Sequence, residues 1–372
     1  MYLTKKTLYC IILVVGDNMT EIEKILNEEN IWRFLKNCNK PIVIYGMGNG
    51  ADKVLELFEY YGIECSGVTA SDDFVRGQSY KNFTVQKLCY FNEKYQDFVI
   101  ALAFGTQIST VMEHIKKLSK THTVVVPNVP VFGNEIFNDD FLIKNAEKIK
   151  ATYDILADTR SKYVLENAIK FYYSGKLDYL WSITDNKDEI FENVLKLSDK
   201  EHYIDLGAYR GDTIQELIDY GKGYNEIIAI EPDPKTYKKL LEYINNKENI
   251  TAYQKTIWRK NCTLLFSNQG GRNSTIGYKG TAVEAVTIDY LAKQMDNVTY
   301  IKMDVEGAEK QALCGGVKTI LEKKPKLNIA AYHTFEDLFD LALMVYSINP
   351  EYKLYLRHHP YIPLWDTNLY CV

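Results

Sequence analysis

"HYIDLGAYRGDTIQELIDYG", residues 202–221, enters as an apolar run, turns on glycines and leaves with apolar residues three and four apart. The first rhythm is that of a buried strand and the last that of an amphipathic helix. Gly207 and Gly211 sit at the change of rhythm, where a missing side chain lets backbone approach a neighbour or a ligand closely. Asp212 or Thr213 offers a helix cap just after the bend. The next strand-like run, "EIIAIEPD", ends on Glu231, about 20 residues beyond Gly211, the distance at which an acid can hold ribose hydroxyls. An ordinary strand-to-helix turn explains the glycines but not Asp205 and Glu231 closing two successive strands.

No third glycine is present here to receive a pyrophosphate. The acids and the bend fit an adenosine ligand with a cationic amino-acid tail, and S-adenosylmethionine is such a ligand. The same strand, turn and helix grammar occurs earlier in "IVIYGMGNGADKVLELFEYYG", residues 42–62, with Gly46, Gly48 and Gly50 as a second nucleotide-site candidate. About 20 residues after that loop stand Thr69, Ala70 and Ser71 rather than an acid, with Asp72 and Asp73 slightly late. Were that loop active, the chain would be an NAD-dependent sugar-modifying oxidoreductase.

Working outward, residues 42–126 alternate strand-like runs with helical patterns, which implies crossover units and a parallel sheet. The prolines and glycine of "VPNVPVFGNE", residues 126–135, interrupt that pattern and mark a seam. Residues 131–200 read as a helical connector, with Gly175 as a stop. Beyond it, strand-like runs again alternate with helical ones, while "YKLYLRHH" and "NLYCV" follow each other without a helix and predict an antiparallel finish. The expected fold is α/β, with two doubly wound, Rossmann-like domains at residues 21–130 and 201–372 joined by the connector.

A chain of 372 residues suits about two domains of 100–200 residues each, and 46% apolar content supplies their cores. The net charge of −5 comes without a basic block, which argues against nucleic acid as a partner. Seven cysteines form no Cys-x-x-Cys pair and no cluster at zinc spacing, as expected of a cytoplasmic protein without a structural metal. The apolar stretch in "KKTLYCIILVVG" falls short of the ~20 residues that span a bilayer, so no stable membrane insertion is expected. Residues 1–20 read as an extension ahead of the helical "MTEIEKILNEENIWRFLKNC".

"YIDLGAYRGDT", "IAIEPDPKTY", "VTIDYLA", "YIKMDVEGAEKQALCGG", "LNIAAYHTFEDL" and "YKLYLRHH" follow one another over residues 200–372 as they do in the FkbM family of S-adenosylmethionine-dependent methyltransferases, which this region resembles. "KMDVEGAE" is the most specific segment. The resemblance implies a class I methyltransferase fold with antiparallel final strands. It also implies that Asp205, Gly207, Ala208, Gly211, Asp212 and Thr213 line the methionine end of the cofactor, and that Glu231 and Asp233 hold the ribose. Thr256 is placed near the adenine. Tyr209 stands where the family pattern usually has Asn and is carried over as a cofactor contact.

"IKMDVEGAE" should end a strand at the carboxyl edge of the sheet, bringing Asp304 and Glu306 beside the glycine bend. His333, closing "LNIAAYH", reaches the same edge, and its ordinary pKa near ~6.5 suits general-base work. Asp304, Glu306 and His333 are the catalytic candidates, although an acid opening a helix also serves as a cap. Lys302 is placed on the face opposite Asp304, in a structural role. Arg357 and His359 are assigned to acceptor binding. No metal is expected, because Asp304 and Glu306 lack an evident third ligand. The expected activity is O-methyl transfer to a hydroxyl of a small molecule, sugar or glycan precursor. The rivals are the oxidoreductase and a noncatalytic scaffold; a homo-oligomer is compatible with all three.

Overall fold

The computed structural model describes residues 25–267, 275–276 and 281–372. The extension expected over residues 1–20 lies outside them. Four parallel strands open the described chain: β1 (Ile42–Tyr45), β2 (Gly67–Thr69), β3 (Val99–Leu102) and β4 (Thr123–Val125), in the order β2-β1-β3-β4. The first three are buried at every residue, so their sequences read as continuous apolar runs rather than alternating ones. Helices α1 (Ile31–Asn37), α2 (Asn49–Tyr61), α3 (Leu88–Lys94) and α4 (Ser109–Leu118) accompany them. The helical rhythm expected from Met19 onward is cut at Asn30, whose side chain caps α1 by accepting from the Trp32 N–H.

The connector contains α5 (Asp139–Ile155), α6 (Thr159–Ser174) and α7 (Leu177–Ile183), followed by a turn at Lys187–Glu189 and a π-helical stretch at Ile190–Leu195. Asn138 and Asp158 cap α5 and α6, and α6 stops at Gly175 with φ +68°. The connector is also where the two sheets meet. One buried apolar cluster runs from Val43 and Ile100 through Ile169 and Phe171 to Ile204 and Ile301.

The second half contains β5 (His202–Leu206), α8 (Asp212–Gly221), β6 (Glu226–Ile230), α9 (Pro234–Ile244), β7 (Ile250–Tyr253), β8 (Thr256–Ile257), β9 (Cys262–Ser267), β10 (Thr281–Val286), α10 (Ile288–Ala292), β11 (Tyr300–Met303), α11 (Glu309–Cys314), α12 (Val317–Lys323), β12 (Lys326–Ala330), α13 (Asp337–Ile348), β13 (Leu354–His358) and β14 (Thr367–Cys371). The main sheet has the order β13-β14-β12-β11-β5-β6-β7. Only β14 opposes its neighbours; β13, expected to share the antiparallel finish, runs with the parallel strands. "ITAYQKTIW" divides between β7 in this sheet and β8, which pairs with β10 in a smaller one. The order of the main sheet reverses between β5 and β11, whose carboxyl ends therefore open a crevice between diverging connections. No helix among the described residues is long and apolar enough to cross a membrane.

Candidate functional site

At the end of β5 the chain turns through Gly207 (φ +85°), Tyr209 (φ +46°) and Gly211 (φ +91°) before α8. A Cβ on Gly207 would lie 1.9 Å from the Asp304 carbonyl oxygen, so the bend meets the end of β11 only because that side chain is missing. Gly211 is similarly confined against the Tyr243 ring. Tyr209 holds a left-handed backbone that a non-glycine residue adopts at a cost, and its N–H donates to Glu231 Oε2 at 3.0 Å. The Asp233 N–H donates to the other Glu231 oxygen at 2.8 Å. Asp233 itself caps α9. Two adjacent strand ends are thus tied together through one carboxylate.

Asp205 is fully buried, with one oxygen accepting from the Thr213 hydroxyl and Oδ1 without a hydrogen-bond partner. Burial pushes both Asp205 and Glu231 up to about 7. A buried orphan carboxylate oxygen beside a second destabilised carboxylate is a cradle for a cation carrying hydrogen-bond donors. The residues present therefore fit the cationic adenosine compound inferred from the sequence.

Across the crevice, β11 delivers Lys302 and Asp304. Lys302 Nζ lies 3.5 Å from Asp304 Oδ2, which corrects the opposite-face placement: residues two apart on a strand share a face. Glu306 (φ +53°) and Gly307 (φ +88°) form a strained turn into α11. His333, from the end of β12, is 1% exposed and lies among three acids. Its Nε2 is 3.4 Å from both Asp304 and Glu306, and its Nδ1 is 3.0 Å from Glu309. None of these contacts is aligned as a hydrogen bond.

Burial alone would lower the His333 pKa, but Glu309, then Glu306 and Asp304, raise it well above its ordinary value. The three acids therefore favour the protonated form of its ring. Burial raises Asp304, yet Lys302 and His333 overcome that and hold it below the usual carboxylate range. Burial leaves Glu306 raised despite His333. Asp304, Glu309 and His333 each present a potential ligand atom within 4.8 Å of the others, a grouping that includes Glu309 and His333 in place of Glu306. Glu309 was missed because its direction depends on α11, although an acid three residues after Glu306 was visible in "VEGAE".

A cavity of about 940 Å³ joins these groups. Gly207, Tyr209, Asp212, Thr213, Glu231, Asp233, Thr256, Asp304 and Glu306 line it, whereas Asp205, Ala208, Gly211 and His333 stand behind its wall. Arg357 and His359 do not reach it. Arg357 is 2% exposed and pairs with Asp158 at 2.6 Å and Glu189 at 3.3 Å. His359 is buried between the Asp185 carbonyl oxygen (3.1 Å) and the Tyr370 hydroxyl (2.7 Å). Both hold β13 and its exit against the connector, so their assignment to acceptor binding is corrected to a structural one.

The earlier glycine loop has a different explanation. Cβ atoms on Gly46 and Gly50 would lie 3.1 Å and 2.5 Å from the Ala103 carbonyl oxygen, while Gly48 faces open space. Two of the three glycines are thus required by the packing of the β1–α2 turn on the end of β3.

A family model described as the methyltransferase FkbM domain matches residues 205–362. This segment is similar to the FkbM methyltransferase domain. A crystal structure of methyltransferase FkbM from Methylobacillus flagellatus aligns with 95% of this chain and 93% of that one, at 22% identity and a TM-score of 0.70. That likeness is one of fold, and it extends through the first sheet and the connector as well as the matched segment. Two further structures align with about half of the chain. Fibrillarin from Aeropyrum pernix, solved with natively bound S-adenosyl-L-methionine, covers 48% of this chain and 69% of its own, at 14% identity and a TM-score of 0.32. Precorrin-6y C5,15-methyltransferase from Geobacter metallireducens covers 49% and 85%, at 12% identity and 0.33. No curated protein matches the chain.

Proposed function

We propose that this chain transfers a methyl group from S-adenosylmethionine to a hydroxyl oxygen, with a sugar or glycan precursor as acceptor. The observation that carries the reading is the bend at residues 205–213, with an orphaned buried Asp205 oxygen behind it and Glu231 closing the adjacent strand. When bound, S-adenosylmethionine supplies an electrophilic methyl group whose sulfonium charge is lost on transfer.

Asp205 balances the cationic end of that ligand, acting with Thr213, and Glu231 accepts from the ribose hydroxyls while its backbone donors keep it in place. The acceptor hydroxyl would enter from the β11 side, and holding it aligned with the donor would supply much of the rate. The hydroxyl proton goes to Glu306. This is the carboxylate whose pKa is raised, which makes it a better base than Asp304, held ionised by Lys302 and His333. His333, whose protonated form the acids favour, orients Asp304 and Glu306 and keeps charge from accumulating between them.

The test is incubation of the protein with labelled S-adenosylmethionine and a pool of cellular glycans and their precursors, followed by mass analysis. A product heavier by one CH₂ on oxygen supports the reading. Absence of any labelled product, with the protein folded and the donor intact, rejects it.

A further inference from the structure

The FkbM match begins at residue 205, which leaves the first sheet without a role. Yet the cavity has two walls. Facing Asp304, Glu306, Tyr361 and Trp365 of the second half are Lys53 and Glu56 from α2, Gln107 from the loop after β3, and Phe132 from the segment that leaves the first sheet. A volume of about 940 Å³ is near the top of the ~300–1,000 Å³ that serves small-molecule ligands, so it has room for a donor and part of an acceptor together.

That wall is seated firmly. Thr106 and Ile362 exchange backbone hydrogen bonds of 2.8 and 2.9 Å, joining the loop after β3 to the β13–β14 connection. The Trp365 ring lies so close to Gly105 that an added Cβ would sit 2.4 Å from it. The Phe132 N–H donates to the His333 carbonyl oxygen at 3.1 Å, and Lys53 Nζ donates to the carbonyls of Pro130 (2.7 Å) and Val131 (2.8 Å). By contrast, the Glu56 carboxylate and Gln107 amide are exposed to the cavity and make no hydrogen bond among the described residues.

We propose that the first domain is the acceptor-selecting half of the site, with Glu56 and Gln107 gripping the non-reacting part of the acceptor, and that it is not a nucleotide-binding domain. The proposal rests on the methyl-transfer reading. A carboxylate and a carboxamide that make no hydrogen bond among the described residues match a molecule rich in hydroxyls, each of which can donate to one group and accept from the other. The rings of Phe132, Tyr361 and Trp365 supply apolar faces for its carbon skeleton. Packing against Ala103 accounts for Gly46 and Gly50 without any phosphate.

The experiment compares the full chain with a Glu56→Ala/Gln107→Ala variant, both exposed positions whose loss leaves the core untouched. Labelled S-adenosylmethionine is held at saturation and the cellular glycan pool is varied. At limiting pool the variant should incorporate label about 10-fold or more slowly, recover as the pool is raised, and bind S-adenosylmethionine with unchanged affinity by calorimetry. Equal rates for both proteins at every pool concentration would overturn the proposal. So would saturable binding of NAD or UDP that Gly48→Asp abolishes. If the unaltered chain transfers no label to any acceptor, the methyl-transfer reading fails first and this proposal falls with it.

Discussion

The β1–α2 turn and the β5–α8 turn are written in nearly the same letters, an apolar strand, spaced glycines and an amphipathic helix, but their glycines answer to different neighbours. In the first, Gly46 and Gly50 fit α2 against Ala103, and the strand beside β1 ends in Thr69. In the second, Gly207 brings the bend onto Asp304, and the strand beside β5 leads into Glu231. Glycine spacing reports a close approach. The acids at the strand ends report what is approached.

The comparison breaks most sharply at the glycines themselves. Gly207→Val would place side-chain atoms against the Asp304 carbonyl, so activity should fall below detection and cofactor binding should be lost in calorimetry. Gly48→Ala at the equivalent turn should leave both within experimental error, since no atom lies within 4 Å of the added Cβ.

Next in size is the proton acceptor. Glu306→Gln keeps the shape but removes the proposed base, and should lower kcat by about 10²–10⁴-fold with little change in cofactor affinity. A similar loss in Asp304→Asn with Glu306→Gln unaffected would exchange their roles.

The cofactor acids should also respond to pH. With the cleft empty, Asp205 and Glu231 keep their protons to about 7. In the unfolded chain they lose them near ~4, so their contribution to stability declines as pH rises from about 4 to 7. Binding of a cation draws on the ionised forms. Affinity for S-adenosylmethionine should therefore weaken as pH falls below 7 and level off above it. An affinity flat between pH 6 and 8 would place the cation elsewhere.

Arg357 sharpens the contrast between site and scaffold. Arg357→Met removes the hydrogen bonds to Asp158 and Glu189, both of which remain in contact with solvent, and should cost about 1–3 kcal/mol, read as a lower Tm or denaturant midpoint. Per folded molecule, cofactor affinity should stay as it was. The smallest effect concerns Asp304, Glu309 and His333: with a protonated His333 favoured among the acids, a chelator should leave methyl transfer unchanged, and restoration of lost activity by a divalent ion would identify them as ligands.

What the sequence disclosed follows the range of the interactions. Gly175 as a stop and the alternation of strands and helices are set by neighbours within a turn or two, and both were legible; the glycines of the β5 bend and the acid ending the next strand were legible as a spacing, although their partners are distant. Arg357 and His359 were misread because their partners, Asp158, Asp185 and Glu189, lie on the connector, far away in sequence. Lys302 and Asp304 stand two apart at the end of β11, so strand alternation itself puts them on one face. Glu309, Phe132 and Lys53 enter the site or its wall only through the seating of α11 and the first domain, which no local pattern encodes.

The central claim is that residues 205–213 and Glu231 together hold S-adenosylmethionine. Isothermal titration at pH 8 of the unaltered chain and of Glu231→Ala tests it most directly. The expected result is saturable one-site binding that weakens by about 10-fold or more in the variant, as loss of hydrogen bonds to a charged group should cause. No heat from the unaltered chain, or equal affinity in both proteins, would contradict it.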